Sequence, residues 1–407
     1  MGQRIFFGWF VVGAAFTILF LGFGTAYSFA SFFGGMEQDF TASRGDISLV
    51  FSIAGFLYFS LGAVSGPLSD RFGARPIVAL GMVLISVGLL AASFANSLWH
   101  VYLSYGAAVG IGIGFAYVPS VGVLQRWFVR RRGFATGLAV AGIGVGTLVA
   151  PPISNFLVET LGWRQTFQLL AGVILVVGLA AAWLLVANPA ARGLYPDGDP
   201  DPGGVGASQS GMSLRDALRS KPFWLLFISA AIVSLGLFVP FVHLAKFSQD
   251  HGHDPALSIL LISLIGVGSM SGRLALGGLA DRFGRHLSVI IMYLGMALVQ
   301  VWWYSFTDYW ALVVYAVLFG LFYGGYVALA PALAADYFGT KNVGGILGVL
   351  YSGIALGNLV GPAAAGFAFD LTGSYEVPIA ASASTAFLAL AIILTLPSPR
   401  EWQQRQG

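Results

Sequence analysis

Arg273 is the side chain in this sequence with the sharpest chemical consequence. It stands in Ile265-Gly-Val-Gly-Ser-Met-Ser-Gly-Arg-Leu-Ala-Leu-Gly, with no acidic residue between Asp254 and Asp281. A basic side chain near the centre of a membrane helix costs about 2.5–3.5 kcal/mol on insertion scales, so something must offset it. One reading is snorkelling toward the nearer membrane surface, since Asp281 is only two turns away. The other is a counter-ion for an anion, for which the planar guanidinium fork suits a carboxylate bound through two hydrogen bonds. Other chemistries are poorly supplied. There is no cysteine, which excludes disulfides, thiolate metal sites and cysteine nucleophiles. His251 and His253 share a polar stretch but are too few for a metal centre. No glycine-rich phosphate loop is present. No carboxylate lies in the middle of an apolar run, whereas a site for cations or basic drugs calls for a buried acid. A sugar site calls for more Asn, Gln and acidic groups than these runs offer.

The elements that must position Arg273 follow from composition. Hydrophobic residues make up 57% of the 407 residues and charged residues only 9%, with a mean hydropathy of +0.83. Ordinary soluble domains carry about 25% charge, so most of this surface must face lipid. A bilayer core of roughly 30 Å needs about 20 apolar residues per helix. Twelve runs meet that length, at 8–33, 47–68, 76–95, 99–124, 133–158, 163–187, 222–247, 256–279, 287–306, 309–336, 343–370 and 375–396. They are about twice the length of barrel strands and lack period-two alternation. The first run is too long for a cleavable signal and reads as a membrane helix. With the N-terminus in the cytoplasm, 16 of the 20 lysines and arginines fall inside, as the positive-inside bias requires. The expectation is a multi-pass protein of the cell (inner) membrane with both termini cytoplasmic, and with Lys246 snorkelling outward.

The polar stretch 188–221 contains Tyr195-Pro-Asp-Gly-Asp-Pro-Asp-Pro-Gly-Gly, which cannot bury a core and reads as a linker. Ser213 is placed to cap a short helix after it. The linker divides the chain into an N-terminal six-helix bundle (1–187) and a C-terminal one (222–407). These halves repeat. Gly66-Pro-Leu-Ser-Asp-Arg-Phe-Gly-Ala-Arg matches Gly277-Gly-Leu-Ala-Asp-Arg-Phe-Gly-Arg-His at an offset of 211. The same offset relates Gly137 to Gly348 and Pro151 to Pro362. A two-fold repeat of helices is the plan of transporters that place substrate at the midplane. The basic run Arg126-Trp-Phe-Val-Arg-Arg-Arg-Gly either sets topology or attracts anionic lipid.

The repeated Asp-Arg-Phe-Gly loop, after the second span and again after the eighth, resembles the hallmark of the major facilitator superfamily. That resemblance covers essentially the whole chain. It implies an all-α integral membrane fold of twelve helices in two pseudo-symmetric six-helix bundles. It also implies that Asp70, Arg71, Asp281 and Arg282 gate transport rather than bind substrate, the alternative being a purely topogenic loop. Phe7-Gly-Trp-Phe-Val-Val, Tyr27-Ser-Phe-Ala-Ser-Phe-Phe and the eighth span with its single Arg273 resemble the monocarboxylate branch, which includes oxalate/formate-exchanger-like proteins. Animal members have lysine where Tyr27 stands and aspartate where Ser269 stands, so their proton-coupling residues do not carry over.

In this fold spans 1, 4, 7 and 10 line the cavity, which makes Tyr27, Tyr117, Tyr323 and Tyr326 candidates to bind substrate beside Arg273. Glycines beside these rings let helices approach closely, so packing alone also accounts for them. His243, in span 7, titrates near neutral pH and is the candidate proton site, or else an interfacial residue. The expectation is a secondary transporter of small monocarboxylates such as lactate or pyruvate, proton-coupled and working by alternating access. Oxalate/formate-type exchange and multidrug efflux fit the same scaffold, and a non-transporting sensor is the alternative from another class. The partners expected are a small carboxylate anion, protons and membrane lipid, with no nucleic acid. The expected working form is a monomer with no catalytic residue, metal or cofactor. Reporter fusions placed after Arg132, Lys221 and Arg405 should all report cytoplasm, and a periplasmic signal from the linker would overturn the two-half arrangement.

Overall fold

In hydrocarbon a backbone must satisfy its own hydrogen bonds, and the helix does so within one segment. The computed structural model describes residues 6–198, 211–339 and 342–404. Eleven helices among them are long and apolar enough to cross a membrane, and a bent helix pair supplies a twelfth span. The protein is an all-helical, multi-pass membrane protein. The spans are α1 (Gly8–Phe40), α2 (Arg44–Ser60 with Gly62–Phe72), α3 (Ala74–Ser93), α4 (Leu98–Trp127), α5 (Arg132–Leu161) and α6 (Trp163–Leu184). There follow α7 (Lys221–Asp250), α8 (Pro255–Phe283), α9 (Arg285–Ser305), α10 (Tyr309–Phe338), α11 (Val343–Thr372) and α12 (Glu376–Leu394).

Departures from straight helices fall at readable places. α1 bends after Tyr27 at Ser28, and α7 bends at Phe238. α2, expected as one helix ending near residue 68, breaks at Leu61 with a 46° bend and runs on to Phe72. Within α4, Tyr102–Val109 form a π-helical stretch. The repeat is visible in the backbone at the sequence offset of 211. Gly73 and Gly284 end the two Asp-Arg-Phe-Gly segments with φ of 88° and 87°, a left-handed region open to glycine because it lacks a Cβ. Gly162 and Gly373, the same distance apart, share positive φ.

Packing repeats too. Gly55 of α2 lies against the Asn358 side chain of α11. Their mates, Gly266 of α8 and Thr147 of α5, also meet, and a Cβ on Gly266 would come within 2.9 Å of the Thr147 carbonyl carbon. The first six spans therefore touch the last six through two equivalent crossings, α2 on α11 and α5 on α8.

α8 and α10 approach most closely through paired glycines. A Cβ on Gly268 would lie 2.8 Å from the Leu321 nitrogen, and one on Gly272 2.9 Å from the Gly325 nitrogen. From the other side, Gly320 faces the Ser269 nitrogen at 2.9 Å and Gly324 the Ser269 Cα at 2.6 Å. Small residues at four-residue spacing let membrane helices come to backbone contact, and this contact fixes the height of Arg273.

The described ends of the linker are both anchored. The Asp197 carboxylate accepts the backbone N–H groups of Val129 and Arg130, each at 2.9 Å, and of Arg131 at 3.4 Å. Burial alone raises its pKa, but these three donors outweigh it and hold the carboxyl below its usual range. Beyond residues 199–210, which lie outside the described residues, Met212 N–H donates to the Phe338 carbonyl at 2.8 Å. Ser213 caps the next turn through Asp216 N–H at 3.2 Å, as its sequence position predicts.

Gly320→Ala should destabilise the detergent-solubilised protein by about 1–3 kcal/mol, because the new methyl has no room. Gly344→Ala, in a helix position with open space around it, should be neutral or mildly stabilising. Thermal unfolding of the two variants side by side checks this. Equal melting points would show that the α8–α10 contact is not the tight one.

Candidate functional site

Because α8 is seated against α10 by glycines, the residue after Gly272 is delivered to the space between the halves. That residue is Arg273. It lines a small cavity of about 40 Å³ bounded by Phe23 and Tyr27 (α1), Phe59 (α2), Tyr117 (α4) and Ile143 (α5). The other half contributes Leu237 and Phe238 (α7), Tyr323 and Tyr326 (α10), and Tyr351 and Ile354 (α11). Among the described residues Arg273 is the one charged side chain lining it. Its guanidinium points into the cavity rather than snorkelling to the surface, and its Nε and Nη1 are buried without a hydrogen-bond partner. Across from it α5 presents Gly144, where a Cβ would lie 3.3 Å from Nη1. The glycine leaves the space that the guanidinium occupies.

All four tyrosines chosen from sequence line this cavity with Arg273. The Tyr27 and Tyr323 hydroxyls, from opposite halves, are 3.0 Å apart. Tyr27 stacks on Phe241 with ring centres 4.4 Å apart, and Tyr117 meets Phe23 edge to face at 5.3 Å. Tyr351 lines the cavity with Tyr117, and the Tyr293 and Tyr326 rings meet edge to face at 5.3 Å. Sequence reasoning missed three members of this hydroxyl network. Tyr58 meets Phe23 edge to face at 5.5 Å, Asn358 Nδ2 donates to the Tyr58 hydroxyl at 3.4 Å, and Tyr351 lines the cavity. They lie on α2 and α11, outside the spans searched. An asparagine in the apolar run of α11 was the available signal.

Chemically the arrangement is a cation with free N–H donors among phenol hydroxyls inside an apolar wall. A small anion entering it would gain the charge-assisted hydrogen bonds that Arg273 lacks. Among the described lining residues no second cation and no carboxylate is present, so a two-charged anion finds one counter-ion, not two.

His243 is not in this cavity. It is fully buried at the face far from the chain termini, where α7 meets α2 and α11. Its Nε2 donates to the Pro362 carbonyl at 2.9 Å, which leaves Nδ1 to accept from the Tyr375 hydroxyl at 3.0 Å. Around it the two halves are clamped. Arg44 holds Asp250 through Nη1 at 2.5 Å and Nη2 at 2.8 Å. Asp370 accepts the first two N–H groups of α2, from Arg44 at 3.0 Å and Gly45 at 2.8 Å. Lys246, expected to snorkel outward, instead reaches Glu37 at 2.6 Å. The carboxylate is near enough to make an ion pair better than hydration.

The residues expected from the sequence to gate lie at the opposite, terminal face. Asp70, on the last turns of α2, pairs with Arg126 at the end of α4. Arg71 lies over the Phe72 ring at 5.1 Å. The side chains of Asp281 and Arg282 lie outside the described residues.

Comparison with known proteins agrees with this architecture. The family model for the Major Facilitator Superfamily matches residues 14–303 and 274–407. Monocarboxylate transporter 11 of Homo sapiens is 32% identical over 402 residues, covering 96% of this chain and 83% of that protein. Monocarboxylate transporter 13 of Bos taurus is 30% identical over 96% of this chain and 89% of its own length. Monocarboxylate transporter 3 of Rattus norvegicus is 31% identical, with coverages of 94% and 78%. The chain therefore belongs to the Major Facilitator Superfamily, within its monocarboxylate transporter family, and is a transporter rather than an enzyme.

Proposed function

We propose that this protein carries monocarboxylates across the cell membrane by alternating access, with Arg273 as the counter-ion. The observation that carries the reading is the guanidinium of Arg273, buried between the halves with two nitrogens unbonded. The substrate carboxylate accepts from this guanidinium, and the Tyr27–Tyr323 pair and Tyr117 supply hydroxyls beside it. The bundles 1–187 and 222–407 rock about the cavity as a monomer, with both termini in the cytoplasm. The clamp at Arg44, Asp250 and Asp370 then closes the external face, and Asp70, Arg71, Asp281 and Arg282 belong to the cytoplasmic gate. Lactate- or pyruvate-sized acids are the reference substrates. The lack of a second lining cation argues against oxalate exchange.

The proton is assigned to His243, through the external closure. A proton on Nδ1 would reverse the bond from Tyr375 and set a second cation against Arg44, which donates to the same hydroxyl at 3.0 Å. Protonation therefore works against closure and favours the outward-open state in acid. His243→Gln should flatten the pH profile of uptake near neutrality and leave substrate exchange running. An unchanged profile would move the proton to the substrate or to the carboxylates of the clamp.

Arg273→Lys separates a carboxylate site from a residue kept only for insertion. Lysine keeps the charge and inserts, but lacks the planar fork. Truncating one partner of a desolvated charge pair costs about 2–5 kcal/mol. The variant should fold normally and lose about 30-fold or more in carboxylate affinity, measured by uptake into proteoliposomes. Wild-type uptake by a well-folded variant would remove Arg273 from the site.

A further inference from the structure

Two cations seal the external face, and they differ in what each keeps when the halves part. Arg44 has a carboxylate on either side: Asp250 across the seam, and Glu37 in its own half at 3.7 Å from Nε. Lys246 has Glu37 across the seam, with Nζ 2.6 Å from Oε2. In its own helix the carboxylate within reach is Asp250, four residues on. The Lys246–Glu37 pair is partly open to water, with side-chain exposures of 16% and 26%. The rest of its setting also comes from α1. Nζ stands 5.4 Å from the Phe33 ring centre, and Gly34 leaves it room, since a Cβ there would lie 3.6 Å away. On α7, Lys246 follows Phe241 by five residues of one helical segment, about 7.5 Å along the axis. Phe241 stacks on Tyr27 at the Arg273 cavity. The seam between α1 and α7 therefore runs from that cavity, through the ring stack, to Lys246 at the external face.

We propose that Lys246 is the external docking residue for the substrate: in the outward-open protein an incoming carboxylate takes the position that Glu37 holds in the closed one. The inference rests on Arg273 holding the carboxylate at the end of the path. When the external side opens, Glu37 moves away with Arg44, because α1 and α2 belong to one half. Lys246 is left with Asp250 at i+4, an exposed pair in the weaker order, cation first. Its charge then faces the opened seam and raises the local concentration of anions there. An ammonium is a compact, strongly hydrated point charge, whereas the guanidinium fork fixes a carboxylate in one geometry. The anion is therefore held loosely at Lys246 and firmly at Arg273. On closure Glu37 returns to Lys246, so one carboxylate replaces another and the seal forms behind the substrate.

The test is uptake of radiolabelled lactate into right-side-out vesicles at low and high ionic strength, for wild type, Lys246→Gln, Lys246→Arg, Glu37→Gln and Arg273→Lys. The two glutamine variants remove the same ion pair, but Glu37→Gln keeps the cation. Lys246→Gln should raise the external KM about fivefold, the worth of one cation–anion contact in water. It should also lose the fall of kcat/KM with salt that screening imposes on the wild type, and Lys246→Arg should restore both. Glu37→Gln should leave KM at or below the wild-type value and keep the salt dependence. Glutamine variants that behave alike would show that Lys246 serves closure alone and would overturn the docking role. Should Lys246→Gln fail to fold, Glu37→Gln decides by itself, since a raised KM there would overturn the proposal. Arg273→Lys isolates the reading beneath it. Wild-type uptake by that variant would overturn the carboxylate site, and docking with it. Its expected loss, together with matching glutamine variants, would overturn docking alone.

Discussion

A guanidinium held between two apolar bundles, with two nitrogens buried and unbonded, raises the free energy of the resting protein. Arg273 is therefore the constraint around which the rest is arranged. Desolvating a cation costs several kcal/mol, and within the described residues no carboxylate beside it returns that cost. The scaffold tolerates it because α8 is fixed elsewhere, by the glycine contact with α10 and the crossing with α5. The cost is held in reserve until an anion arrives. Binding energy then comes from bonds that are already aimed and lack only an acceptor.

Arg44 shows what the same side chain does when it is fully paired. It holds Asp250 through two bonds, donates to Tyr375 and lies over the Phe369 ring at 4.0 Å. With Lys246–Glu37 and the Asp370 cap on α2, it joins α1 and α2 to α7 and α11 across the two halves. Saturated, Arg44 serves closure, while Arg273, unsaturated, is available to a ligand. Opening the far face must break several charge-assisted bonds together, so that face behaves as a two-state element and not as a gradually widening gap.

The twelve spans were legible because apolar length alone marks them, and all twelve begin within three residues of the expected positions. The repeat was legible because its glycines and prolines hold backbone geometry, as Gly73 and Gly284 show. Arg273 was legible as a charge where charge is expensive. Other features were hidden for a physical reason: they depend on what lies opposite in space. Nothing near Lys246 in sequence announces Glu37, 209 residues away. Tyr58 and Asn358 looked like isolated polar residues until the α2–α11 crossing brought them together across 300 residues. The break at Leu61 carries no proline, and Pro67, further along, does not end the helix.

The repeat also shows how a symmetric scaffold acquires an asymmetric site. At the offset of 211, Arg273 corresponds to Gly62, Tyr323 to Gly112, Tyr326 to Phe115 and Asn358 to Thr147. The glycines that let helices meet are shared, as Gly55 and Gly266 are, whereas the groups that meet a ligand are not. Gly62 sits at the bend in α2, where a Cβ would lie 2.9 Å from Val118 Cγ2. A side chain there would start against the Val118 methyl, while its mate on α8 opens onto Gly144. On the proposed function the substrate charge is held by the C-terminal half, and the N-terminal half faces it with Gly144 and the phenols of Tyr27 and Tyr117. Under that proposal one half supplies the charge and the other the facing hydroxyls, and the 3.0 Å hydroxyl contact between Tyr27 and Tyr323 is where the two meet.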